Sequence, residues 1–154
     1  MLEDFPAPDY TPILNSIARC DDPVKLNNFI QNAARKNVDV VKGAAIRKFA
    51  SIVPDHIPGS LAYDFWSMVN AYEAVQSELR RTRIRLDKTR ARAEEEGIEA
   101  VLTHWVLTNR QPHITERLIA YNMMDLTADA VLIRHKSNFP AKARRAATER
   151  IEAL

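Results

Sequence analysis

From residue 61 to residue 96 the chain contains neither glycine nor proline. Across that stretch Leu61, Phe65, Met68, Tyr72, Val75, Leu79, Thr82, Leu86, Thr89 and Ala93 follow one another in alternating steps of four and three. Such spacing keeps one stripe of side chains on one face of a helix, in a heptad pattern. A helix over 60–96 would be about 50 Å long at 1.5 Å per residue. That is longer than a single small domain is wide, so one end is expected to project or to pair with a second copy. The expected fold is all-α, a multi-helix bundle with one long central heptad-patterned helix. The expected homodimer interface is the first half of the stripe, Leu61, Phe65, Met68, Tyr72, Val75 and Leu79.

The rest of the chain also reads as helices. Asp22 is placed to cap a helix that opens on Pro23, and Leu26, Phe29, Ile30 and Ala33 recur at helical spacing behind it. Val38, Val41, Ala45, Phe49 and Ile52 form the next stripe, which predicts a helical hairpin, with Gly43 as a point where a neighbouring backbone could come close. Ser60 is a cap for the long helix and Gly97 a stop. A short apolar helix around Trp105 follows, then helices capped by Thr115 and Thr127 and one opened by Pro140. No stretch alternates polar and apolar residues long enough for a sheet. Seven or eight helices are expected: a short one at 12–19, the rest within a single domain over 12–154, preceded by an arm over 1–11 in the proline-rich start "MLEDFPAPDYTP".

At 154 residues the chain is long enough for one core, burying roughly 70% of its unfolded surface. A hydrophobic fraction of 46%, a charged fraction of 27% and only three glycines fit a helix-rich globular domain rather than a disordered chain. Cys20 stands alone, which excludes an internal disulfide and a cysteine-based metal site. The start lacks a cationic, apolar leader and no run of eighteen apolar residues occurs, so a cytoplasmic protein without a membrane segment is expected.

The net charge is only +2, so any basic site must be a local one. Residues 80–92 supply it, with seven Lys or Arg in thirteen positions and six of the seven Arg. On an unbroken helix Arg81, Arg85, Lys88 and Arg92 share one face in a row about 16 Å long, able to follow several phosphates. Arg80, Arg83 and Arg90 lie outside the row as secondary contacts, Arg83 and Arg90 flanking the apolar stripe. The guanidinium fork suits phosphates and guanine edges. The competing reading is a solvated helix face, balanced by Glu78, Asp87 and Glu94 to Glu96.

A weaker candidate, "TERLIAYNMMDLTADAVLIRHK", has helix-turn-helix spacing, with Arg134, His135, Lys136, Lys142, Arg144 and Arg145 around its end. An ordinary core hairpin gives the same pattern. His56, His104, His113 and His135 are scattered without ligand spacing, and Asp55, Asp64, Asp125 and Asp129 read as cap or turn acids. No phosphate-cradling glycine loop or nucleophile elbow is present, so no metal, no cofactor and no enzymatic activity are expected.

The segments "LNNFIQNAARKNVDVVKGAAIRKF", "RTRIRLDKTRARAEEEGIEAVLTHWV" and "MMDLTADAVLIRHKSNFPAKARRAATERI" resemble, in that order, an uncharacterised family of small bacterial all-helical proteins and domains. The resemblance covers about residues 24–152 and implies a shared fold and a DNA-modification or restriction-nuclease setting, with no established activity. The leading expectation is a nucleic-acid-binding accessory or regulatory protein, its partner being DNA. The alternative is a protein-interaction module, a dimeric adaptor or an inhibitor of a larger complex, whose arginines meet water or an acidic protein surface.

Overall fold

Asp22 starts the first long helix as its sequence predicts: its carboxylate accepts a hydrogen bond from the Val24 amide at 2.9 Å, with Pro23 in the first turn. Ser60 and Thr127 act in the same way, accepting from the amides of Tyr63 and Ala130. Each side-chain oxygen satisfies one of the amides that a helix start leaves without an intrahelical partner. The computed structural model describes residues 8–154. Most of the expected N-terminal arm therefore lies outside the described residues, and its last position, Thr11, is already helical.

The described residues form α1 (Thr11–Ala18), α2 (Pro23–Lys36), α3 (Asp39–Ala50), α4 (Leu61–Arg80), α5 (Asp87–Glu96), α6 (Ile98–Thr108), α7 (Pro112–Ala120), α8 (Ala128–Arg134) and α9 (Ala141–Glu152). Short 3-10 turns at Met124–Leu126 and Lys136–Asn138 flank α8, and there is no strand among the described residues. The expected α2–α3 hairpin is present, closed by left-handed Asn37. None of the helices is long and apolar enough to cross a membrane.

The architecture is a helical bundle around α4, which packs against α2, α3, α6, α7 and α8. Phe65, Met68, Val69, Tyr72 and Val75 of α4 join Leu26, Ile30, Ile46, Leu102, Leu118 and Leu132 in one continuous core. A helix enclosed in this way is buried all round rather than along one stripe. Polar side chains are therefore enclosed too: Asn70, Glu73, Ser77 and Glu78 are all buried. A buried carboxylate is tolerated only when paired and hydrogen-bonded, and Glu73 and Glu78 organise much of what surrounds them.

The single helix expected over 60–96 is instead two, α4 and α5. Arg81 adopts a left-handed conformation (φ 57°) and the Thr82 amide reaches back to the Ser77 carbonyl at 3.2 Å, a Schellman-type stop. Side chains of α4 then take over the backbone donors of the next segment. Ser77 Oγ accepts from the Ile84 amide at 2.9 Å, and Glu73 Oε2 accepts from the Leu86 amide at 2.7 Å. These bonds staple 82–86 against the end of α4 and satisfy amides that helix continuation would otherwise have satisfied. No proline or glycine is involved.

Two further expectations change at this level. Thr115 is not a cap, because α7 begins three residues earlier at Pro112 and Thr115 Oγ1 lies 2.6 Å from the hydroxyl of buried Tyr72. At Gly43 the nearest atom to an added Cβ would be Met123 Cε at 3.7 Å, an ordinary side-chain contact rather than a close backbone approach.

Candidate nucleic-acid interface

The break at Arg81 redistributes the basic cluster, since residues on either side of it no longer share a helix. Arg81, Arg85, Lys88 and Arg92 do not form one row. Arg81 occupies the left-handed end of α4, Arg85 lies in the connecting segment, and Lys88 and Arg92 belong to α5.

Arg90 and Arg83 turn inward rather than spoiling an apolar seam. Arg90 donates from Nε and Nη2 to the two oxygens of Glu73, which has no exposed surface, and from Nη2 to Asn70 Oδ1 at 2.8 Å. Asn70 in turn donates to the Ile52 carbonyl at 3.1 Å, so α5 is tied through α4 to the end of α3. Arg83 lies over the Phe49 ring, donates to the Ile84 carbonyl and stands 3.9 Å from Glu73 Oε1. Two of the seven cations are thereby bound to one buried carboxylate whose position in the sequence gave no sign of it.

Arg85 pairs with Asp87 at 3.3 Å, and Arg92 with Glu96 at 3.1 Å one helical turn away. Both are surface pairs with little energetic weight. Arg80, Arg81 and Lys88 are exposed and form no ion pair among the described residues. Arg81 lines an open groove of about 610 Å³ together with Arg35, Asn28, Gln31 and Asn32 of α2. Asn32 accepts a hydrogen bond from Arg35, and Gln31 donates to the Ser77 carbonyl at 2.7 Å, which fixes the groove wall to the last turn of α4. Sequence reading located Arg81 but missed Arg35 and the amides, which lie on a helix more than forty residues away.

A second buried carboxylate is Glu78, which the competing reading of the basic run puts on a solvated face. It accepts from Arg117 and from the Tyr121 hydroxyl, each at 2.8 Å, and pairs with buried Lys42 at 3.1 Å. Burial alone would raise its pKa, but Arg117, Tyr121 and Lys42 together hold it below the usual glutamate value. Asp64, Asp125 and Asp129 likewise are more than turn acids. Asp125 holds Arg47 through two bonds of 2.9 Å, Asp64 lies 2.7 Å from His135 and Asp129 holds Arg150.

The expected dimer seam is largely filled by the chain's own packing. Phe65, Met68, Tyr72 and Val75 have no exposed surface, Leu61 is half-buried and Leu79 is exposed. A second copy could reach the first four only by opening the core. In the helix-turn-helix candidate, Leu118, Met123, Leu126, Val131 and Leu132 are core residues, and α7 and α8 both rest on α4. Arg134 is turned back to the Asp125 carbonyl and Asp64, while Lys136, Lys142, Arg144 and Arg145 are exposed. Compared with known proteins, the chain matches no family, no curated protein and no solved structure.

Proposed function

We propose that the protein is a nucleic-acid-binding accessory or regulatory protein, with DNA as its partner, that grips the phosphate backbone where α4 ends beside α2. The observation that carries this reading is the groove in which Arg81 and Arg35 stand beside Asn28, Gln31 and Asn32, with Arg80 adjacent. Guanidinia provide phosphate contacts, and side-chain amides can pair with phosphate oxygens or base edges. Lys88 is a further exposed cation, and Arg85 and Arg92 can exchange their surface carboxylates for phosphates at small cost. Arg90 has no part in the contact, because Glu73 holds it in the fold. A DNA setting is also what the family resemblance implies, although the reading does not depend on it.

The test is duplex DNA binding followed by fluorescence anisotropy as salt is raised. The logarithm of affinity should fall linearly with that of salt, and Arg35→Glu, Arg80→Glu and Arg81→Glu should each make the slope shallower by about one. Absence of binding at about 50 mM salt, or an unchanged slope in the triple variant, would overturn the reading.

A further inference from the structure

A second basic feature lies apart from the groove, between the end of α3, α4 and the 82–86 segment. Arg83, Arg85 and Arg90 line a half-open chamber of about 160 Å³ together with Asn70, Phe49 and the carboxylate of Glu73. Charge in the chamber is unbalanced. Three guanidinia face one buried carboxylate, and Asp87, which meets Arg85, is an exposed partner whose attraction water screens.

Hydrogen bonding is also incomplete. Each guanidinium carries five N–H donors. Arg83 is engaged through Nη1, Arg85 through Nε, and Arg90 through Nε and Nη2. Nη2 of Arg83, both Nη atoms of Arg85 and Nη1 of Arg90 donate to no protein atom among the described residues. Burial, partly offset by Glu73 and reinforced by repulsion from Arg85 and Arg90, holds Arg83 below the usual guanidinium pKa. The unengaged N–H groups are open to water on the outer side of the chamber, where an incoming anion can replace that water and balance the excess positive charge.

We infer that this chamber binds the terminal phosphoryl group of a small phosphomonoester, with Arg83 and Arg85 as its principal ligands. A phosphoryl group carries up to two charges and three acceptor oxygens, which matches the unengaged donors. The cleft on the other side of Arg90, about 300 Å³ and sharing Ile52, Asn70 and Arg90 as walls, carries Asp55 and Glu94. Those carboxylates repel a continuous polyanion, so a single terminal phosphate fits better than a duplex backbone. The inference does not rest on DNA binding at the α2–α4 groove and survives if that fails.

Titration calorimetry with inorganic phosphate, at ionic strength held constant with sodium chloride, is the direct test. Saturable one-site binding is expected, weakened about tenfold or more by Arg83→Gln and by Arg85→Gln and less by Arg83→Lys. Arg85 is exposed, so Arg85→Gln keeps the fold and remains informative even if Arg83→Gln does not fold. A 5′-phosphorylated oligonucleotide compared with its 5′-hydroxyl counterpart then distinguishes a nucleic-acid end from a free phosphorylated compound as the source of the group. No saturable phosphate binding up to about 10 mM, or binding unchanged in the folded Arg83→Gln, Arg85→Gln double variant, would overturn the inference.

Discussion

Arg90 clamps Glu73 through two hydrogen bonds, 3.0 Å from Nε to Oε2 and 2.7 Å from Nη2 to Oε1, and so locks α5 against α4 across the helix break. Glu73 has no exposed surface, while a quarter of the Arg90 side chain remains in contact with water. Breaking such a pair from one side leaves a charge stranded in the core. Arg90→Met should therefore cost about 3 kcal/mol, the low end of the range for a buried pair because Arg90 is partly solvated. Urea unfolding measures it. Combining Glu73→Leu with Arg90→Met should recover only part of the loss, because Glu73 also accepts from the Leu86 amide and faces Arg83, and an Arg90→Met protein within about 1 kcal/mol of wild type would contradict a structural role for the clamp.

The same pair shows which parts of the fold the sequence could reveal. Asp22, Ser60, Thr127 and Gly97 mark helix ends within a few residues of themselves, and each sits where its chemistry predicts. The break at Arg81 has no such mark. Its causes are Ser77 and Glu73 capturing amides seven and thirteen residues onward, which becomes visible only once α4 is known to be buried on every side. Steps of four and three describe a coiled-coil seam and an enclosed central helix equally well, so the pattern located α4 but not what covers it. The arginines were legible as a cluster and not as partners. Glu73 decides the fate of Arg83 and Arg90, and α2 supplies the groove beside Arg81.

Glu78 makes stability depend on acid. Burial works against its ionised form, but Arg117, Tyr121 and Lys42 outweigh burial and lower its folded pKa. Asp125 is lowered by Arg47, with a smaller effect on stability because both side chains are about half exposed. A lowered folded pKa means that the unfolded chain binds more protons in the acid window. The stabilisation is thus complete above the ordinary carboxylate values of 4.5 and 3.8 and is lost as pH falls through the folded ones. Urea midpoints should fall steeply below about pH 4.5 in wild type and less steeply in Glu78→Gln, which starts less stable at neutral pH. Equal acid slopes in the two proteins would place the titration elsewhere.

Arg81 sets stability against binding. A non-glycine residue in the left-handed region costs roughly 1 kcal/mol, and the Schellman-type stop at the end of α4 normally takes glycine there. Arg81→Gly should raise the thermal midpoint, with a gain of about 1 kcal/mol, while weakening duplex DNA binding in anisotropy. A more stable protein that binds less well would identify Arg81 as retained for a surface task. Loss of stability would mean that its side chain supports the α2–α4 groove instead.

Gly43 offers the opposite case, a helix-interior glycine that no backbone contact requires. It lies in α3 with no positive φ, and a methyl group there would meet Met123 Cε at 3.7 Å, within ordinary contact distance. Glycine inside a helix costs about 0.5–1 kcal/mol relative to alanine, chiefly because the unfolded chain has more freedom to lose. Gly43→Ala should therefore raise stability by about that amount in a thermal or urea melt, without altering DNA or phosphate binding. The added methyl also extends the apolar contact between α3 and Met123, which is itself almost fully buried. A decrease in stability would show that α3 and the chain around Met123 approach each other more closely in solution than 3.7 Å allows.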